Sequence, residues 1–152
     1  MSSHSDVDIL LVEDNPDDVE LTLRTFQENS VSTRVHVVRD GVEALDFLFA
    51  TGSYHDRAGA KPPRVVLLDL KLPRVDGLEV LRRVRSDPRT QTLPMVVLTS
   101  SQEERDLVES YQLGVNSFLV KPVDSEQFTD LVKQLGCYWL LLNKTRPDSA
   151  HS

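Results

Sequence analysis

The chain is 152 residues long, with a hydrophobic fraction of 39%, a charged fraction of 27% and a formal net charge of −7. Such a composition fits one globular domain with a buried core, and the acidic balance argues against nonspecific binding to nucleic acid. No apolar run approaches the ~20 residues needed to span a bilayer, and one cysteine, Cys137, makes no intramolecular disulfide.

The start, MSSHSDVD, lacks the basic-then-apolar pattern of a secretory signal, so the expected location is the cytoplasm, with no membrane partner. Residues 1–6 read as a disordered lead-in to a domain over 7–143. The first apolar run, Ile9 to Val12, stops at Glu13-Asp14, and Asn15-Pro16 then supplies a cap and a first-turn proline for a helix through Val19, Leu23 and Phe26. A second run, Val35 to Val38, precedes Asp40-Gly41 and a stripe of Val42, Leu45, Leu48 and Phe49. The stretch 51–63, TGSYHDRAGAKPP, reads as a long polar loop. The third run, Val65 to Leu68, ends on Asp69; Pro73 and Asp76-Gly77 follow, and Asp76 with Glu79 has the spacing of a capping box. Arg82, Arg83 and Arg85 on that helix read as a solvated face. Met95 to Leu98 leads to Thr99-Ser100-Ser101, where Ser101 and Glu104 repeat the capping pattern and Gly114 reads as the helix stop. Phe118 to Val120 leads to Lys121-Pro122, and Asp124 with Gln127 opens the last helix.

Short continuous apolar runs suit strands buried on both faces, and their alternation with helices predicts a doubly wound α/β fold: five parallel strands with five helices. Ligands of such sheets bind beyond the C-terminal strand ends. Those ends here carry Glu13-Asp14, Asp69, Thr99 and Lys121. A buried run that ends on a carboxylate is costly unless the charge has a use or a partner. Clustered carboxylates take up protons or bind a cation, and Mg²⁺ is satisfied by one or two of them plus water. A divalent ion, a lysine and a hydroxyl around a carboxylate form a site for a phosphoryl group, with the carboxylate as nucleophile.

These residues resemble the receiver domains of two-component response regulators. The resemblance covers residues 7 to about 135. It rests on Glu13-Asp14, on Asp69 in LLDLKLPRVDG, on Thr99-Ser100 and on Lys121-Pro122. Taken singly, each is an ordinary cap, turn or surface residue. Together they stand in order at the ends of four strands. The resemblance implies a flavodoxin-like sheet of order 2-1-3-4-5 and Asp69 as the phosphoacceptor. It implies Mg²⁺ on Asp14, Asp69 and the backbone carbonyl of Lys71, with Glu13 acting through water. It further implies Lys121 and Thr99 as contacts to the phosphoryl group, Thr99 and Phe118 as the switch pair, and a cis bond before Pro122. The protein would catalyse only its own phosphoryl transfer and dephosphorylation, at a rate tuned by Lys71 and Ser101 beside the site.

The last helix reads as running on through Tyr138, Trp139 and Leu142, apolar nearly all round over 136–142, with a flexible tail at 144–152. Such a patch suggests a homodimer contact at Tyr138, Trp139 and Leu142; the alternative is a helix end folded back on its own core. Cys137 reads as packed rather than reactive, and His36 and His55 as structural or exposed. The 51–63 loop, the LVEDNPDDVELT opening and the apolar tail resemble regulators partnered with bacterial phytochrome histidine kinases. With no output segment expected, the downstream partner would be a protein, not DNA. A phosphorelay intermediate that feeds a histidine phosphotransfer protein, and a non-phosphorylated adaptor, are the alternatives. A Mg²⁺-dependent hydrolase would need a second acid-base aspartate just past Asp69, where Leu70 and Lys71 stand. A flavin-binding protein would need a phosphate cradle after the first strand, where Glu13-Asp14 repels phosphate.

Overall fold

The computed structural model describes residues 7–31 and 33–140. The segments 1–6 and 144–152, and Leu142, lie outside the described residues. The chain runs β1 (Ile9–Val12), α1 (Pro16–Glu28), β2 (Val35–Val38), α2 (Gly41–Phe49), β3 (Val65–Asp69), α3 (Gly77–Ser86), β4 (Met95–Thr99), α4 (Gln102–Ser110), β5 (Ser117–Val120) and α5 (Ser125–Leu135). Short 3-10 turns occupy Gly52–Arg57 and Tyr138–Leu140.

The strands form one parallel sheet in the order β2-β1-β3-β4-β5. Side chains alternate along each strand, so successive residues feed opposite layers. Leu10, Val12, Val66, Leu68, Met95 and Val97 meet Phe47 of α2, Leu81 of α3 and Val108 of α4. Ile9, Leu11, Leu67, Val96 and Leu98 meet Val19 and Phe26 of α1 and Phe128 and Leu131 of α5. This two-sided burial is why β1, β3 and β4 are continuous apolar runs.

Helix starts follow the capping residues. Asn15 Oδ1 accepts the Asp17 N–H at 2.8 Å, and Asp76 and Asp124 accept the N–H of Glu79 and Gln127 at 2.9 Å each. Ser101 Oγ accepts the Glu104 N–H at 3.2 Å, but Glu104 reaches back to the Ser100 N–H, at 2.9 Å, and not to that of its cap.

Four expectations need correction. The 51–63 stretch is not all open loop: Gly52–Arg57 is a 3-10 turn that buries Tyr54 and Arg57 against β2 and α2. Among the described residues the last helix does not continue past Leu135 into 136–140. It ends at Leu135, because Gly136 adopts φ +67°, and the Cys137 N–H returns to the Val132 carbonyl at 2.9 Å. Cys137 is then buried, which pushes its thiol pKa up, and Trp139 folds back on the α1/α5 layer beneath the Arg64 guanidinium, 4.5 Å from the ring centre. α4 stops at Ser110, before Gly114, with Gln112 taking the left-handed turn at φ 52°. Arg82 and Arg83 do form a solvated pair on Glu79, but Arg85 turns inward. Its guanidinium donates to the carbonyls of Leu113, Gln91, Leu93 and Gly114 and to Asn116 Oδ1 at 2.7–3.0 Å, and burial lowers its pKa. Arg85 thereby ties the loop before β4 to the loop before β5.

Candidate functional site

The site sits at the C-terminal edge of the sheet, where β1, β3, β4 and β5 end. Glu13 directly follows β1, and its N–H continues the ladder by donating to the Val38 carbonyl at 3.0 Å. Its side chain is 1% exposed, and its Oε2 accepts the Asn15 N–H at 3.1 Å. Asp14, the next residue, faces solvent at the rim. Asp69 is the last residue of β3 and is 4% exposed. Thr99 ends β4 buried, with its hydroxyl directed to the Leu119 carbonyl at 3.5 Å.

Gly77 lies directly behind Asp69. A Cβ there would come within 2.5 Å of the Asp69 carbonyl oxygen and 2.7 Å of Leu70 Cα. The Asp76-Gly77 pair therefore does two things: Asp76 caps α3, and Gly77 lets that helix start against the backbone that presents Asp69.

Lys121 reaches in from the end of β5, with a cis peptide joining it to Pro122. Its Nζ lies 3.2 Å from Asp69 Oδ2, 3.4 Å from Glu13 Oε1 and 3.2 Å from Asp18 Oδ2. Burial opposes the lysine charge, but Asp69 and Glu13, with the hydrogen bonds to Asp18 and Asp69, outweigh it and raise its pKa. Burial, then the hydrogen bond and charge of Asp69, push Glu13 up to about 7. One lysine thus serves several carboxylates and leaves the pair at the sheet edge short of positive charge.

That shortfall is the test of a cation's fit. Among the described residues no three His, Cys, Asp or Glu side chains are grouped to hold a metal ion by themselves. The donors are hard oxygens and few in number: Glu13 and Asp69 are buried, and Asp14 beside them is open to water. This suits Mg²⁺, which keeps several waters, better than a metal that demands a closed protein cage.

Lys71 leans away from the site. Its side chain is 80% exposed and pairs with Glu104 Oε2 at 3.3 Å, bridging the β3–α3 loop to α4, while its N–H lies 3.5 Å from Asp69 Oδ1. Burial works to raise the Glu104 pKa, but hydrogen bonds from Ser100 and Lys71 win and lower it. Phe118 packs partly buried on the α2/α3/α4 layer, with the Arg105 guanidinium 4.7 Å from its ring centre. Tyr138 is exposed, and Trp139 is half-covered beneath Arg64, just before the start of β3 and so at the opposite end of that strand from Asp69. The residue that sequence reasoning missed is Asp18. Asp17-Asp18 after Asn15-Pro16 reads as the acidic first turn of a helix, and nothing local shows that one of the two crosses to Lys121.

A doubly wound sheet of this order, with an acidic pair, a strand-end aspartate, a hydroxyl and a lysine converging on one edge, defines the receiver class of signalling domain. The chain belongs to the response regulator receiver domain family, whose pattern it matches over residues 9–133. Among solved structures it is similar to the bacteriophytochrome response regulator AtBRR, with 56% identity and a TM-score of 0.83 over 90% of this chain and 97% of that one. The phosphorylated cyanobacterial phytochrome response regulator RcpA is 40% identical, with a TM-score of 0.70 over 89% of this chain and 94% of the other. Response regulator Rcp1 of Synechocystis sp. (strain ATCC 27184 / PCC 6803 / Kazusa) is 36% identical over 87% of this chain and 88% of its own length, and its structure has been solved in a Mn²⁺-bound form. No helix among the described residues is long and apolar enough to cross a membrane.

Proposed function

We propose that Asp69 accepts a phosphoryl group from a histidine kinase and that this kinase is a bacteriophytochrome. The observation that carries the first part is the buried Asp69 carboxylate at a strand end, 3.2 Å from Lys121 Nζ and beside Glu13. The likeness to AtBRR and RcpA supports the second. In the transfer, an Asp69 carboxylate oxygen forms a bond to phosphorus. The bond from phosphorus to the donor histidine nitrogen breaks, and its electron pair leaves on the imidazole. Mg²⁺ would be held by Asp14, Asp69 and the Lys71 carbonyl, with Glu13 acting through water, and when bound it neutralises phosphoryl oxygens. Lys121, 3.2 Å from Asp69 Oδ2, supplies a fixed positive charge. Thr99 exchanges the Leu119 carbonyl for a phosphoryl oxygen, a better acceptor. Phe118 then moves toward the vacated space, which requires it to leave Arg105 and alters the surface of α4, β5 and α5. Output passes to a partner protein through that surface.

The test is intact-mass spectrometry after incubation with acetyl phosphate, with and without Mg²⁺. The expected result is one Mg²⁺-dependent phosphoryl addition that Asp69→Asn abolishes; full labelling of that variant at a single site would refute the assignment. A second copy of the chain is the remaining partner. Of the expected contact residues, Tyr138 stays 55% exposed. Tyr138→Asp is expected to halve the mass measured by light scattering, and an unchanged mass rules this contact out.

A further inference from the structure

Lys121 has three N–H donors, and each faces a carboxylate: Glu13, Asp69 and Asp18. The first two belong to strand ends. Asp18 comes from the first turn of α1 and crosses to a lysine 103 residues further along the chain. The helix does not need that contact to start, because Asn15 caps it and Asp17 supplies acidic charge in the same turn. The three partners differ sharply in burial. The Glu13, Asp69 and Asp18 side chains are 1%, 5% and 25% exposed.

We propose that Asp18 is a positioning residue that holds the third donor of Lys121 until the incoming phosphoryl group replaces it, and so acts as a brake on phosphorylation. This rests on the reading of Asp69 as the phosphoacceptor. An ammonium with three donors already engaged cannot serve a phosphoryl oxygen without giving up a partner. While the donor is bound and Asp69 is still a carboxylate, releasing Glu13 or Asp69 would strand a buried charge, which is costly. Releasing Asp18 leaves a carboxylate that water can reach. Asp18 is therefore the partner exchanged. Before the exchange its carboxylate competes with Asp69 for Lys121, at the same 3.2 Å, and its charge repels an anionic donor. With acetyl phosphate, an Asp69 oxygen bonds to phosphorus, the phosphorus–oxygen bond to the acetyl group breaks, and the electron pair leaves on acetate. Atoms and charge balance without a further reactant.

The test follows the intact mass of the full chain over time, with acetyl phosphate and Mg²⁺, for the wild type, Asp18→Asn, Asp18→Gln, Asp18→Glu and Asp17→Asn. Thermal unfolding of each variant runs alongside. Both neutral Asp18 variants are expected to raise the initial rate of phosphoryl addition by about three-fold, the scale of one partly exposed ion pair. Asp18→Glu is expected to restore the wild-type rate. Asp17→Asn removes the same charge from the same turn without touching Lys121, and is expected to leave the rate unchanged. A rate for Asp18→Asn and Asp18→Gln equal to or below that of the wild type overturns the proposal, as does an equal rise for Asp17→Asn. A wild type that takes up no phosphoryl group defeats the phosphoacceptor reading and this inference with it. A labelled wild type with unmoved Asp18 variants defeats this inference alone.

Discussion

Two groups of buried polar side chains flank the sheet, and they are built on opposite terms. Around Tyr54 the polar atoms are matched. Its hydroxyl donates to Glu43 Oε2 at 2.7 Å and meets His36 Nε2 at 2.9 Å, while Glu43 Oε1 accepts the Arg39 N–H at 3.0 Å. The Arg57 guanidinium lies 3.8 Å from the Phe47 ring centre, and its Nε–H donates to the Phe47 carbonyl at 3.2 Å. Burial and the hydrogen bond to Glu43 raise the Tyr54 pKa, so that group stays neutral and fixed. Around Asp69 the charges are not matched. Glu13, Asp18 and Asp69 share Lys121, and Glu13 is pushed up to about 7. A matched cluster adds stability and holds the 3-10 turn against β2. An unmatched one costs stability and keeps an affinity for cations and for a group that reorganises it.

Substitutions should separate the two, the matched side losing stability and the unmatched side losing chemistry. The largest effect is expected at Phe47, which is fully buried beneath Arg57 and Tyr54. Phe47→Ala should cost about 3–5 kcal/mol in urea unfolding, while the folded protein still labels at Asp69. Glu13→Gln should act with the opposite sign. The folded pKa of Glu13, about 7, lies above its ordinary value of 4.5, so the folded state binds this proton more tightly. Its contribution to stability is full below pH 4.5 and is lost as the pH rises through about 7. At pH 8 without divalent cations, Glu13→Gln should therefore stabilise on the order of 1–3 kcal/mol, and the gain should vanish near pH 4.5. Equal stability of the two proteins at pH 8 would mean that the charge shortfall at the sheet edge is not real. The smallest effect is expected for Tyr54→Phe, about 1 kcal/mol by urea unfolding, with unchanged labelling at Asp69. Lost labelling in that variant would show that the two groups are coupled and break the comparison.

Much of this was legible in the chain. Continuous apolar runs between capped helices announce a parallel sheet, and the strand ends announce the carboxylates, the hydroxyl and the lysine. What misled was residue type read without direction. Three arginines on one helix look alike, yet Arg85 points toward carbonyls of two loops while Arg82 and Arg83 share Glu79. A glycine inside an apolar stretch can be helical or can end the helix. At Gly136 the left-handed turn wins, because it lets Cys137 and Trp139 cover the α1/α5 layer.

By itself the sequence determined the elements, their order and the edge at which the chemistry collects. Local signals of that kind (a cap, a β-branched run, an Asp-Gly pair) act between neighbours in the chain and survive in a linear reading. Only the tertiary structure decided which carboxylates share Lys121, where Arg85 points and how the chain returns after Gly136. Each of those is a competition among partners far apart in sequence, and its outcome depends on burial and distance, which exist only once the sheet has formed.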